Sequence, residues 1–193
     1  MKSARFLVLV LLTVLQAQAV EWHVDTQAKN LVKFISRAPL EEFEGVTHHI
    51  DGYIYWEGDS VFSQPNELYF EVDLRTIDTG IGLRNRHMRE NYLETDRWPY
   101  AIFQGKVTVV NRLDTSVVAY RATVSGTLSI HGVDRTVRVE GLVLFPETDR
   151  MRIQVRFQVK LTDYRIKIPR IMFFKLNEII QLELDFFLRK VAD

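Results

Sequence analysis

His87 and Arg84, with Arg89 nearby, are the residues best equipped for chemistry in this sequence of 193 residues. An imidazole and a guanidinium together could hold a diphosphate or a quinone oxygen, because charge-assisted hydrogen bonds to such oxygens are strong and directional. They could equally bond the Asp78 turn and fix a helix in place, and both roles stay open. The same pair supplies an enzymatic alternative, with His87 as acid–base and Arg84 holding an anion on a small hydrophobic substrate. The other histidines carry less. His48 and His49 are adjacent, so on a strand they would point to opposite faces, and an exposed loop dyad is the simpler reading. His131 precedes Gly132 in a hairpin-like stretch, where turn geometry alone accounts for it. The sequence has no Gly-x-Ser-x-Gly elbow, His-Glu-x-x-His, phosphate loop or dinucleotide fingerprint. No enzymatic activity, cofactor or metal is therefore expected.

The element that must position His87 and Arg84 interrupts an otherwise alternating chain. Asp78, Thr79 and Gly80 supply turn and cap chemistry, and from about Gly82 to Leu93 the spacing becomes helical. Leu83 and His87 sit four apart, Met88 and Tyr92 likewise, and Arg86 faces Glu90 at ion-pair spacing. Pro99 holds Trp98 extended, and a strand resumes at Tyr100. One helix longer than two turns is expected, packed on the rest through Leu83, Met88, Tyr92 and Leu93.

The flanking segments read as strands. Val32, Phe34 and Ser36 alternate with Leu31, Lys33, Ile35 and Arg37; the stretch from Pro39 to Gly45 reads as a connection. Ile50, Gly52, Ile54 and Trp56 share one face, and Leu68, Phe70, Val72 and Leu74 another. Ala101 to Val110 leads to a turn at Asn111 to Thr115, Tyr120 to Ile130 follows, and His131 to Asp134 reads as a hairpin loop. Met151 to Leu161 alternates most cleanly, with Met151, Ile153, Val155, Phe157, Val159 and Leu161 opposite Arg152, Gln154, Arg156, Gln158 and Lys160. Ile180 to Leu188 closes the chain. About eight strands with one apolar face each predict an all-β fold, a closed antiparallel β-barrel with one inserted helix; a sandwich is the alternative. The inward positions Phe34, Ile54, Trp56, Phe70, Val72, Phe103, Val155, Phe157 and Ile166 are then packed core or pocket wall. With Tyr164, Arg84 and His87 they form the candidate ligand-binding set. Strand periodicity fails at Asp78 to Leu93 and at Asp163 to Pro169, so an opening is expected there.

Composition narrows the partners. The 25 basic and 25 acidic residues balance, so nothing favours nucleic acid or a polybasic membrane anchor. Lys2, Arg5, an apolar run from Phe6 to Leu15 and Ala17-Gln18-Ala19 have the form of a cleaved signal peptide, residues 1–19. The mature domain, 20–193, is expected in the periplasm or secreted, without stable membrane insertion; a homodimer is left open. Cysteine is absent, which excludes disulfides and thiol chemistry.

Three groups of residues carry a resemblance to a known family. They are Ile77-Asp78-Thr79-Gly80 with Arg84, His87-Met88-Arg89, Trp98-Pro99 and Ile102-Phe103; Val124 to Val133 with Arg135-Thr136-Val137; and Asp163-Tyr164 with Ile166-Lys167-Ile168-Pro169. In this order they resemble the signature of the YceI-like family over essentially the whole mature chain. Ile81 and Asn85 stand where the family usually has Asn and Asp, and Asp163-Tyr164-Arg165 replaces its common Asp-Phe-Gly turn. The resemblance implies a lipocalin-like barrel that holds a polyisoprenoid, isoprenoid quinone or other long lipid. It also implies a periplasmic protein, often linked to stress.

Overall fold

The computed structural model describes residues 19–37, 42–168, 170–171, 174–175 and 177–192. The signal peptide read over 1–19 lies outside them except for Ala19, as do Pro39 and Pro169.

Alternation along the sequence becomes a single curled sheet. Its strands are β1 (Ala19–Val24), β2 (Leu31–Arg37), β3 (Glu42–Thr47), β4 (Ile50–Glu57), β5 (Asn66–Asp73), β6 (Tyr100–Leu113), β7 (Val118–Ile130), β8 (Val133–Glu147), β9 (Arg150–Lys160) and β12 (Ile179–Lys190). Two short strands, β10 (Arg170–Ile171) and β11 (Phe174–Lys175), pair with each other. Both β1 and β2 pair with β12, at Val24↔Leu188 and Leu184↔Val32, so they lie end to end as one broken strand. In the same way β3 pairs with β2 while β4 pairs with β1. Counted so, eight antiparallel strands in chain order close into a barrel, as the periodicity predicts.

The breaks in these strands are satisfied by side chains. Between β1 and β2, the buried Asn30 amide donates to Asp25 O at 2.9 Å and its oxygen accepts from Phe187 N–H at 3.0 Å. Asn66 serves the bulge in β6: its oxygen accepts from Val107 N–H at 2.8 Å, while its amide donates to Phe62 O at 2.8 Å. Buried backbone groups that lack such partners would each cost about 1–3 kcal/mol.

Four sequence expectations change. The Pro39 to Gly45 connection is strand from Glu42, because Phe43, Gly45 and Thr47 keep an inward period in which glycine takes an apolar place. Gly45 lets the Phe34 ring cross β3: a Cβ there would sit 2.2 Å from Cε1 of Phe34. The turn expected from Asn111 to Thr115 begins later, at Asp114, since β6 runs to Leu113 past the Val107–Val109 bulge. The His131 to Asp134 loop contracts to two residues, His131 and Gly132, both at positive φ, with Ile130 already paired to Val133.

The fourth change concerns the helix. Gly82–His87 is α-helical (α1), and Met88–Tyr92 continues it as a π turn, with Leu93 N–H donating to Met88 O at 2.9 Å. The wider turn shifts the side-chain register; Arg86 and Glu90 stand exposed and, among the described residues, form no ion pair with each other. Packing runs through Met88, Tyr92 and Leu93, which are half-buried, whereas Leu83 is 54% exposed.

Candidate functional site

The inward faces do not meet in the middle of the barrel. They enclose a cavity of about 590 Å³ with a wall almost wholly of carbon. One end is shut by aromatic rings: Trp22 stacks on Trp56 with centroids 6.4 Å apart, and Phe62 and Phe145 pack edge-on against them at 5.1 and 5.6 Å. The other end is where α1 lies. Among the described lining residues Ile81, Leu83 and His87 alone are exposed, which places a mouth beside that helix.

All the candidate residues except Trp56 line this one cavity. Phe34, Ile54, Phe70, Val72, Phe103, Val155 and Phe157 form its wall from five different strands. Trp56 belongs to the closed end, 4% exposed. Alternation correctly turns its ring inward, but a period of two says nothing about how deep the cavity reaches. Tyr164 and Ile166, 2% and 4% exposed, line it from the turn after β9 and pack with Leu128, Ile130, Tyr92 and Leu93. That cluster packs the wall within the expected Asp163 to Pro169 stretch, of which Pro169 lies outside the described residues, while the exposed lining residues among those described stand at α1. His131 braces the cluster: its Nδ1–H donates to Tyr164 O at 3.1 Å, and its Nε2 stands 3.5 Å from a Glu94 carboxylate oxygen.

At the mouth, Arg84 lies over the Phe43 ring at 4.4 Å and donates from Nε to Thr79 Oγ1 at 2.9 Å and from an Nη to Thr79 O at 2.7 Å. The guanidinium therefore ties α1 to the preceding turn while it lines the cavity. Asn85 completes the tie. It donates to Asp78 Oδ1 at 2.7 Å and accepts from Thr79 N–H and Oγ1–H at 2.9 and 2.6 Å. The Asn85 amide, then the Gly80 N–H, hold the Asp78 carboxyl below its ordinary range. Phe43 is not among the sequence candidates because its stretch reads as a connection. The buried Ser36 and Thr47 also line the cavity, and their inward period was the available signal. His48 and His49 sit exposed at the β3–β4 break, the former bonded to Asn30 O. No group of three potential ligands that could hold a metal occurs among the described residues.

The YceI-like domain profile matches residues 22–188. The chain belongs to the YceI-like family. A search of curated proteins returns no match. Solved structures share the fold at low identity. A polyisoprenoid-binding domain from Saccharophagus degradans, implicated in plant cell wall breakdown, superposes with a TM-score of 0.71 at 18% identity, over 88% of this chain and 98% of that one. Burkholderia cenocepacia BcnA gives 0.68 at 16%, over 85% and 98%. The Campylobacter jejuni YceI protein gives 0.56 at 14%, over 77% and 85%.

Proposed function

We propose that this YceI-like protein is an exported carrier that holds one long apolar lipid, a polyisoprenoid or isoprenoid quinone, in the barrel cavity. The observation that carries the reading is the apolar cavity, shut by aromatic rings at one end and, among the described residues, reaching solvent beside α1. Each ligand methylene buried there contributes about 0.8 kcal/mol, so a chain of several isoprene units binds without polar contacts. The likeness to the polyisoprenoid-binding domain of Saccharophagus degradans supports the ligand class. Arg84 and His87 stand at the rim, where a head group would emerge. The enzymatic alternative gains less support, because Arg84 is engaged with Thr79 and Phe43 and His87 lies exposed at the rim.

The test is equilibrium binding of prenyl alcohols of increasing length to delipidated protein. Affinity should climb with each isoprene unit and then level off once the cavity is full. Affinity independent of chain length would overturn the reading. Export rests on the small-x-small motif ending at Ala19, and N-terminal sequencing of the exported protein should begin at Val20; a start at Met1 would refute it.

A further inference from the structure

The two most exposed large apolar side chains among the described residues are Ile81 and Leu83, at 51% and 54%. Both also line the cavity. Apolar surface therefore runs without a break from the barrel interior, over the rim, onto the outside. Residues 79–89 around them include Arg84, Arg86 and Arg89 and no acid, in a chain whose charges balance overall; the acids Asp78 and Glu90 flank the stretch. The turn after β9, at the same end of the barrel, exposes Arg165 and Lys167. Close by are two aromatic residues, each beside a guanidinium: Tyr100 with Arg75 at 5.2 Å and Trp98 with Arg97 at 5.6 Å. Exposed aliphatic tips, flanking arginines and amphipathic rings are the combination that settles at the boundary between phospholipid head groups and acyl chains.

We propose that this face, centred on Ile81 and Leu83, docks on the surface of an anionic phospholipid bilayer. The arginines meet the negative head groups, and the two aliphatic side chains enter the acyl boundary. The cavity mouth then opens toward the membrane instead of water. A second copy of the chain fits this face poorly, because a two-fold contact would set the same arginines against each other. Val109, Val117 and Val118 are also exposed, but they lie outside the cavity wall at the closed end, so they serve as the comparison surface.

The proposal takes its purpose from the carrier reading, but its test does not depend on that reading. The full mature protein is sedimented with phosphatidylcholine vesicles, with and without phosphatidylglycerol, alongside the variants Leu83→Ser, Arg86→Ser and Val117→Ser. Wild-type binding should require phosphatidylglycerol and weaken with salt. Arg86→Ser should lose about fivefold on the anionic vesicles, the worth of one basic residue near such a surface. Leu83→Ser should lose about fivefold through half a leucine's burial, and Val117→Ser should lose nothing. Equal binding by all variants, or none by wild type, overturns the proposal. So does a dimer in light scattering that Leu83→Ser dissolves while wild type ignores the vesicles. Chain-length-dependent lipid affinity in a protein that ignores vesicles would sink docking and leave the carrier standing. Vesicle binding by a protein whose cavity takes no lipid would do the reverse.

Discussion

Val155→Trp separates a ligand cavity from a core more sharply than any other single change. Val155 lies on β9, pairs with Gly141 on β8 and Leu184 on β12, and faces the cavity half-buried. Cγ2 of Val155 lies 3.1 Å from where a Gly141 Cβ would be, so the side chain covers that glycine, and a larger ring there extends into the void. Taking about 30 Å³ for each water-sized group, an indole displaces roughly three ligand methylenes. At about 0.8 kcal/mol each, the loss is roughly 2–3 kcal/mol, or a 30- to 150-fold rise in Kd. Folding stability should change little, because the added ring gains carbon contacts in space that is otherwise empty. The assay is prenyl-lipid affinity and thermal unfolding on the same preparation. A close-packed interior would give the opposite result, about 1–3 kcal/mol of lost stability from overpacking with affinity unchanged. That outcome would refute the cavity argument.

Other changes test other parts of the account. Trp56→Ala should cost about 3–5 kcal/mol of stability by opening the aromatic seal, measured by denaturant unfolding, with lipid affinity of the folded protein unaltered. Arg84→Ala should weaken a prenyl diphosphate more than a prenyl alcohol, since only the former loses a charge-assisted hydrogen bond; equal losses would mean that Arg84 only anchors α1. Arg165 caps the turn after β9 at φ 58, in the left-handed region that glycine tolerates best, so Arg165→Gly should raise stability by up to about 1 kcal/mol in thermal unfolding. The Asp185 carboxyl is held low by the Arg152 guanidinium, at 2.6 and 2.7 Å, and the Glu183 carboxyl by Lys33 at 3.0 Å. Their folded pKa values lie below the unfolded ones. The stabilisation is therefore present above about pH 4 and is lost as pH falls through the folded values. Asp185→Asn should flatten the acid side of the Tm-against-pH curve, and an unchanged acid limb would contradict the assignment.

Much of this architecture is written locally in the chain. The alternation of β9 names the inward residues directly, and the failure of alternation after Thr76 locates the helix. What stayed hidden depends on geometry that a period of two does not encode. The bulge at Val107–Val109 reverses the phase of β6, so Val109 is exposed while Val110 packs on the core, and the strand looks finished before it is. A glycine at an inward position disguised β3 as a connection. Trp56 shares its face with Ile54, yet one ring seals the barrel and the other side chain lines the cavity, because height along the barrel axis comes only from closing the sheet. Helical spacing likewise does not show that Leu83 stands exposed at the rim while Met88, Tyr92 and Leu93 pack.

The central claim is that the cavity carries a lipid. The most direct measurement is mass spectrometry of an organic extract of the protein purified from its native compartment without detergent. The account predicts a long-chain isoprenoid near one equivalent per barrel, and its depletion from Val155→Trp prepared alongside. An extract free of apolar lipid, from protein that also takes up none when prenyl chains are supplied, would contradict it.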